Sequence, residues 1–157
     1  MEKTYPGFSA SGAISSRLRG LTVVILFLLA AEFLLGMTVN LFVTIPTNHP
    51  GANPPEYFSG VVRSVTWAVT SSPLWLLLHA ILGLVLVVLT VALLISAIVA
   101  RKGGWIAIAS LGFIGVGGAG FNGGSFLNYN ENFSSMLMSV GFILAMVTYT
   151  IGLARGK

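Results

Sequence analysis

Charged residues withdraw from four stretches of the chain, and each stretch is long enough to cross a bilayer. The clearest runs from Pro73 to Ala100, 28 residues without a charged side chain, where roughly 20 suffice for an α-helix to span the hydrocarbon core. The same pattern predicts helices over about 21–43, 104–122 and 133–153. A different pattern fills the gap between the first two. The segment TIPTNHPGANPPEYFSG holds Pro46, Pro50, Pro54 and Pro55, which stop a helix and predict a turn-rich loop. From 56 to 70, Phe58, Val61, Val62, Val65 and Val69 recur at three- and four-residue steps, with Glu56, Ser59, Arg63, Ser64 and Thr66 on the other side. That periodicity predicts a short amphipathic helix along the membrane surface, with Tyr57 and Trp67 as interfacial anchors. Ser71, Ser72 and Pro73 supply an N-cap and a first-turn proline for the next crossing.

The fold class expected is therefore all-α: a polytopic membrane protein built as a four-transmembrane-helix up-down bundle with a short extracytoplasmic amphipathic surface helix. Residues 1–20 are expected as a cytoplasmic tail, 21–153 as the single transmembrane domain and 154–157 as a cytoplasmic end. A cleaved signal peptide is the competing reading of the start. The run from Gly20 to Val43 exceeds the about 7–15 residues of a signal core and shows no small-x-small site, so it is expected to stay as the first crossing.

Composition agrees, with 55% apolar and 8% charged residues against about a quarter charged in soluble domains. The net charge of +4 follows from topology and carries no expectation of nucleic-acid binding. Placing both termini and the Arg101-Lys102 link on one side gathers Lys3, Arg17, Arg19, Arg101, Lys102, Arg155 and Lys157, seven of the eight basic residues, and leaves Arg63 opposite. The positive-inside rule makes that side cytoplasmic, so the chain is expected to be integral to the cell membrane with cytoplasmic termini. The absence of cysteine removes disulfides, thiol nucleophiles and thiolate metal sites. No P-loop, dinucleotide fingerprint, G-x-S-x-G elbow or HExxH is present.

Candidate chemistry begins with Glu32 and His79, because ionisable groups inside a membrane are costly and mark function by default. At about 1.5 Å per residue, Glu32 lies roughly 16 Å and His79 roughly 10 Å from the outer ends of their helices. They are within reach of each other but not evidently level. Met138 and Met136 lie at roughly 5–8 Å by the same count, so Met138 is nearly level with His79. Histidine and methionine on facing helices can ligate haem iron. Gly112, Gly115, Gly117, Gly118 and Gly120 crowd the third crossing, where Gly115-x-x-x-Ala119 and Gly120-x-x-x-Gly124 fit the small-xxx-small rule for close helix approach. That crossing is expected to be the buried one. An outer polar cluster gathers Asn40, Asn122, Asn128, Tyr129 and Glu131 near His49 and Glu56. Its members are suited to a quinone head group, a lipid or a metal, or simply to capping helix ends.

The arrangement, with His79 inside a crossing, resembles the four-helix membrane cytochromes b. Those use paired histidines, and the resemblance implies haem b with His79 as one axial ligand. Since no second histidine stands on a facing helix, Met138 or Met136 would supply the other. Two functions are thus expected from the sequence. The first is a non-catalytic subunit or binding module of a membrane complex, associating with other membrane subunits or with itself through the glycine-rich helix. The alternative is a haem b electron-transfer protein or oxidoreductase component.

Overall fold

The computed structural model describes residues 10–155. The start of the expected tail, with Lys3, and the final residues 156–157, with Lys157, lie outside the described residues. Those described form helices throughout: α1 (Ala10–Phe42), α2 (Tyr57–Thr70), α3 (Leu74–Val99), α4 (Gly103–Tyr129) and α5 (Asn132–Arg155). Four of them, all but α2, are long and apolar enough to cross a membrane. They pack as a ring in which α1 and α4 each touch α3 and α5, while α2 rests on α3 and α4.

Two boundaries differ from the sequence reading. α1 begins at Ala10 because nothing between there and Leu21 breaks a helix, and Leu18 and Thr22 extend its buried stripe. α4 continues past Asn122 to Tyr129, so that the expected loop NGGSFLNYNEN shrinks to Asn130 and Glu131. Tertiary contacts outweigh the poor helix propensity of this segment. Gly124 makes room for Val61 of α2, and the Asn128 amide is held by Ser64 and by the Tyr57 carbonyl. Asn130 then ends α4 in the left-handed conformation, φ 53°, which asparagine adopts more readily than most residues.

Each crossing buries one stripe. On α1 it comprises Leu18, Thr22, Ile25, Leu29 and Val39, and on α3 Leu76, Leu86, Thr90, Leu93 and Ala97. These are three- and four-residue steps with one gap on each helix. The apolar core has the same gap. One part contains Ile25, Leu29, Leu86, Val116 and Tyr149, the other Val39, Ala68, Leu76 and Leu127. The seam positions between the two parts are Glu32 and Gly36 on α1 and His79 and Gly83 on α3.

α4 and α5 meet backbone to backbone. A Cβ on Gly115 would lie 2.6 Å from the Gly141 carbonyl oxygen, and one on Gly141 would lie 2.6 Å from the Gly115 carbonyl oxygen. Ala145 and Ala119 complete the crossing, so the expected Gly115-x-x-x-Ala119 motif meets a matching Gly141-x-x-x-Ala145. The second expected motif divides its contacts: Gly124 receives Val61, and only Val87 lies within 4 Å of a Cβ on Gly120. Since the close contacts at Gly115 and Gly141 are with backbone that cannot step aside, Gly115→Val and Gly141→Val should each cost about 1–3 kcal/mol. Gly117→Ala, where a Cβ meets nothing within 4 Å, should be neutral or stabilising. Reversible unfolding in detergent measures the difference.

Candidate functional site

The gap in the core is filled by an ionisable pair. His79 Nδ1 lies 3.0 Å from Glu32 Oε1, with the side chains 28% and 14% exposed. The distance is that of an ion pair, but the direction falls short of a hydrogen bond, and His79 Nδ1 and Glu32 Oε2 are both buried without a hydrogen-bond partner. The two groups are in contact, and their polar atoms are not fully satisfied.

Two glycines set this geometry. A Cβ on Gly36 would lie 3.2 Å from His79 Cε1, and a Cβ on Gly83 would lie 3.1 Å from Glu32 Oε1. The imidazole thus sits over the α1 glycine and the carboxylate over the α3 glycine. Each helix carries the ionisable residue and, four positions later on the same face, the glycine that receives its partner's side chain. Glu32 meets Gly83 while His79 meets Gly36, so the two helices pass in opposite chain directions here and the two side chains reach each other. The approach that the sequence left open is thus made. The repeated spacing, Glu32-x-x-x-Gly36 and His79-x-x-x-Gly83, was the available signal.

The methionines named as haem ligands lie on α5. A Cβ on Gly123 would lie 3.3 Å from the Met138 sulfur, so Met138 packs across the α4–α5 pair, and Met136 is exposed. No group of three or more His, Asp or Glu suited to a metal ion occurs among the described residues.

At the Tyr129 end of α4 the outer cluster separates into a packed cap and exposed residues. Asn40, Tyr129 and Glu131 are exposed, with Tyr129 stacked on Tyr57 at 6.2 Å between centroids. Asn122 returns its amide to the Gly118 carbonyl. Asn128 alone of the five is buried, and it is a hub. Its Oδ1 accepts from Ser64 at 2.8 Å, its Nδ2 donates to the Tyr57 carbonyl at 3.2 Å, and its carbonyl accepts from Asn53 N–H at 2.8 Å. His49 is buried beside it, with ring nitrogens 2.9 Å from the Pro50 carbonyl and 3.0 Å from the Leu127 carbonyl, and its ring stacked on Trp67 at 4.3 Å. Gly51, at φ 94°, turns the loop where any side chain would strike Ser64 and the Gly60 carbonyl.

The face α2 buries against this cap is Gly60, Ser64 and Ala68. Phe58 and Val62, which periodicity placed on the same apolar stripe as Val61 and Val65, stay 67% and 66% exposed. Small residues win the contact because the loop and α4 approach too closely for larger ones. A Cβ on Gly60 would lie 2.6 Å from Pro54 Cβ and 2.9 Å from Asn128 Nδ2.

Glu56 caps α2, accepting from Ser59 N–H at 2.6 Å and Phe58 N–H at 2.9 Å. The Ser59 amide, followed by that of Phe58, holds the carboxyl below its ordinary range. A depressed folded-state value means that the stabilisation is present above the ordinary carboxylate range and is lost as pH falls through the lowered value. Amide-exchange protection factors in the first turn of α2, taken relative to the intrinsic rate at each pH, should therefore fall at acid pH, and Glu56→Gln should flatten that dependence. For the intramembrane pair, a double-mutant cycle of Glu32→Gln and His79→Gln should return a coupling between about 0.6 and 1.7 kcal/mol, the average and the upper end for polar contacts between membrane helices. Unfolding in detergent or bicelles reads it.

No family model matches this chain, and no curated protein or solved structure is significantly similar to it.

Proposed function

We propose that the chain is a non-catalytic subunit or binding module of a membrane complex. It spans the cell membrane four times in up-down order, with both termini cytoplasmic and α2 lying on the opposite surface. The observation that carries this reading is the mutual engagement of Glu32 and His79. The ionisable groups inside the bundle face each other across a glycine crossing, and they join two helices. A place for a partner is also available. Gly117 and Gly118 of α4, where a Cβ meets nothing within 4 Å, suit the close approach of a further helix, either from another subunit or from a second copy. Phe58 and Val62, exposed on α2, suit burial in the interfacial region of the bilayer.

One observation favours the haem b alternative. A histidine that ligates a metal commonly turns its other ring nitrogen to a carboxylate, and His79 presents Nδ1 to Glu32 in this way. Met138 or Met136 would complete the ligation; Met138 would leave Gly123 to do so.

Extraction in mild detergent, with haem supplied during expression, separates the two readings. A colourless protein that co-purifies with a larger partner, and loses it on Gly118→Leu without loss of folding, is the expected result. A free, cofactor-less monomer from the same extraction would overturn the subunit reading. A Soret band abolished by His79→Ala would replace it with the haem reading.

A further inference from the structure

The proline-rich loop between α1 and α2 closes onto the last turn of α4, and His49 stands at the closure. Its ring is buried, and both ring nitrogens face carbonyl oxygens: Nδ1 lies 2.9 Å from that of Pro50 and Nε2 3.0 Å from that of Leu127. Carbonyls only accept, and a neutral imidazole has a single N–H to donate. In either neutral tautomer one ring nitrogen would turn its lone pair on an oxygen at hydrogen-bond distance. The imidazolium donates from both nitrogens and satisfies both carbonyls. We propose that His49 is a proton-binding site, occupied while the loop is closed on α4, and that losing this proton unlocks the loop.

Two further features favour the cation. Leu127 belongs to the last turn of α4, where carbonyls lack intrahelical donors and carry the negative end of the helix dipole. The loop caps that end twice, with the His49 ring at the Leu127 carbonyl and the Asn53 N–H at the Asn128 carbonyl, 2.8 Å away. The other feature is Trp67 of α2. Its indole lies parallel to the imidazole within 13°, with centroids 4.3 Å apart, so a charged ring would rest on an electron-rich face. Charge-assisted bonds to two carbonyls, a helix C-terminus and an aromatic face together offset the cost of burying the charge.

The neighbouring ionisable groups leave His49 as the one that responds near neutral pH. On α2, Arg63 stands one turn before Trp67 and opposes the proton, but it is exposed. Glu56 is engaged with the Ser59 and Phe58 amides, and Glu131 beyond α4 is exposed. Tyr57 and Tyr129 are phenols, which ionise only in alkali. α1 and α3 reach the same small core through Val39 and Leu76, and their ionisable residues, Glu32 and His79, contact each other. Because the closed loop holds a proton that the open loop releases, closure is favoured on the acid side and weakens as pH rises through the imidazole range. Which compartment's pH is read follows from the topology proposed above; the proton site does not depend on it.

The test uses the full chain in phosphatidylcholine nanodiscs, with nitrogen-15 in its two histidines. Loss of signals in His49→Gln or in His79→Gln assigns them. At about pH 7.5, where a free imidazole is largely neutral, both His49 nitrogens should still resonate as protonated, and one should lose its proton as the pH is raised further. The Ala52 and Asn53 amides, bonded to the His49 and Asn128 carbonyls in the closed loop, report closure. Their protection, relative to the intrinsic rate at each pH, should fall about tenfold as the proton leaves, and His49→Gln should remove that dependence. A His49 ring with one unprotonated nitrogen at about pH 6, while both amides stay protected, overturns the proton site. Protection that does not change when the ring loses its proton overturns the lock, and so does a dependence that persists in His49→Gln. The unsubstituted chain decides the first two outcomes even if His49→Gln fails to fold.

Discussion

Helices in a bilayer gain nothing from the hydrophobic effect when they touch, because the lipid they displace is as apolar as their own side chains. Close packing therefore has to supply the attraction, and it requires that something be small where two helices cross. This chain meets the requirement on two helix pairs by different means. At the α4–α5 crossing Gly115 and Gly141 bring backbone onto backbone, and dispersion over that contact is enough. At the α1–α3 crossing Gly36 and Gly83 open the same kind of space, but it is filled by the His79 ring and the Glu32 carboxylate. The rest of the ring of helices is built around these crossings.

The second solution costs more, which gives it meaning. Leucine at the Glu32 and His79 positions would continue the stripes of α1 and α3 and fuse the two parts of the core. Instead an ionisable pair divides them, with one buried oxygen and one buried nitrogen lacking a hydrogen bond. Polar groups in such surroundings are strongly penalised when unmatched. A pair of this kind fixes which helices meet and in what register, because any slip would part the two polar groups and move each side chain off its glycine.

Much of this was legible in the sequence, and what was missed has a common cause. Length and hydropathy placed the four long helices, and periodicity the Glu56 start of α2, since these depend on local chemistry alone; the expected serine cap of α3 is not made, because Pro73 itself stands at the N-cap and Ser72 turns its hydroxyl back to the Ala68 carbonyl. The intramembrane candidates Glu32 and His79 were visible for the same reason. Their partnership was left open, because it depends on where α1 and α3 cross and on the room that Gly36 and Gly83 leave there. The tail of α4 was missed because Asn122 to Asn130 is poor helix sequence that is held helical by Val61, Ser64 and the Tyr57 carbonyl. The face of α2 was misread because periodicity ranks residues by apolarity, whereas the contact at Gly60, Ser64 and Ala68 selects for size.

The two ends of the bundle spend their polar residues in opposite ways. At the cap, Asn128, Ser64 and the Tyr57 carbonyl satisfy one another, and the His49 ring lies between the Pro50 and Leu127 carbonyls. At the other end the cations gather around an open cleft, and the turn that presents Arg101 adopts a backbone conformation that favours glycine. Groups that are satisfied within the chain hold it together. The turn at the cationic end is held within the chain as well, by the Arg101 and Lys102 amides on the Ile98 and Ala97 carbonyls, so side chains close one end of the bundle and backbone the other.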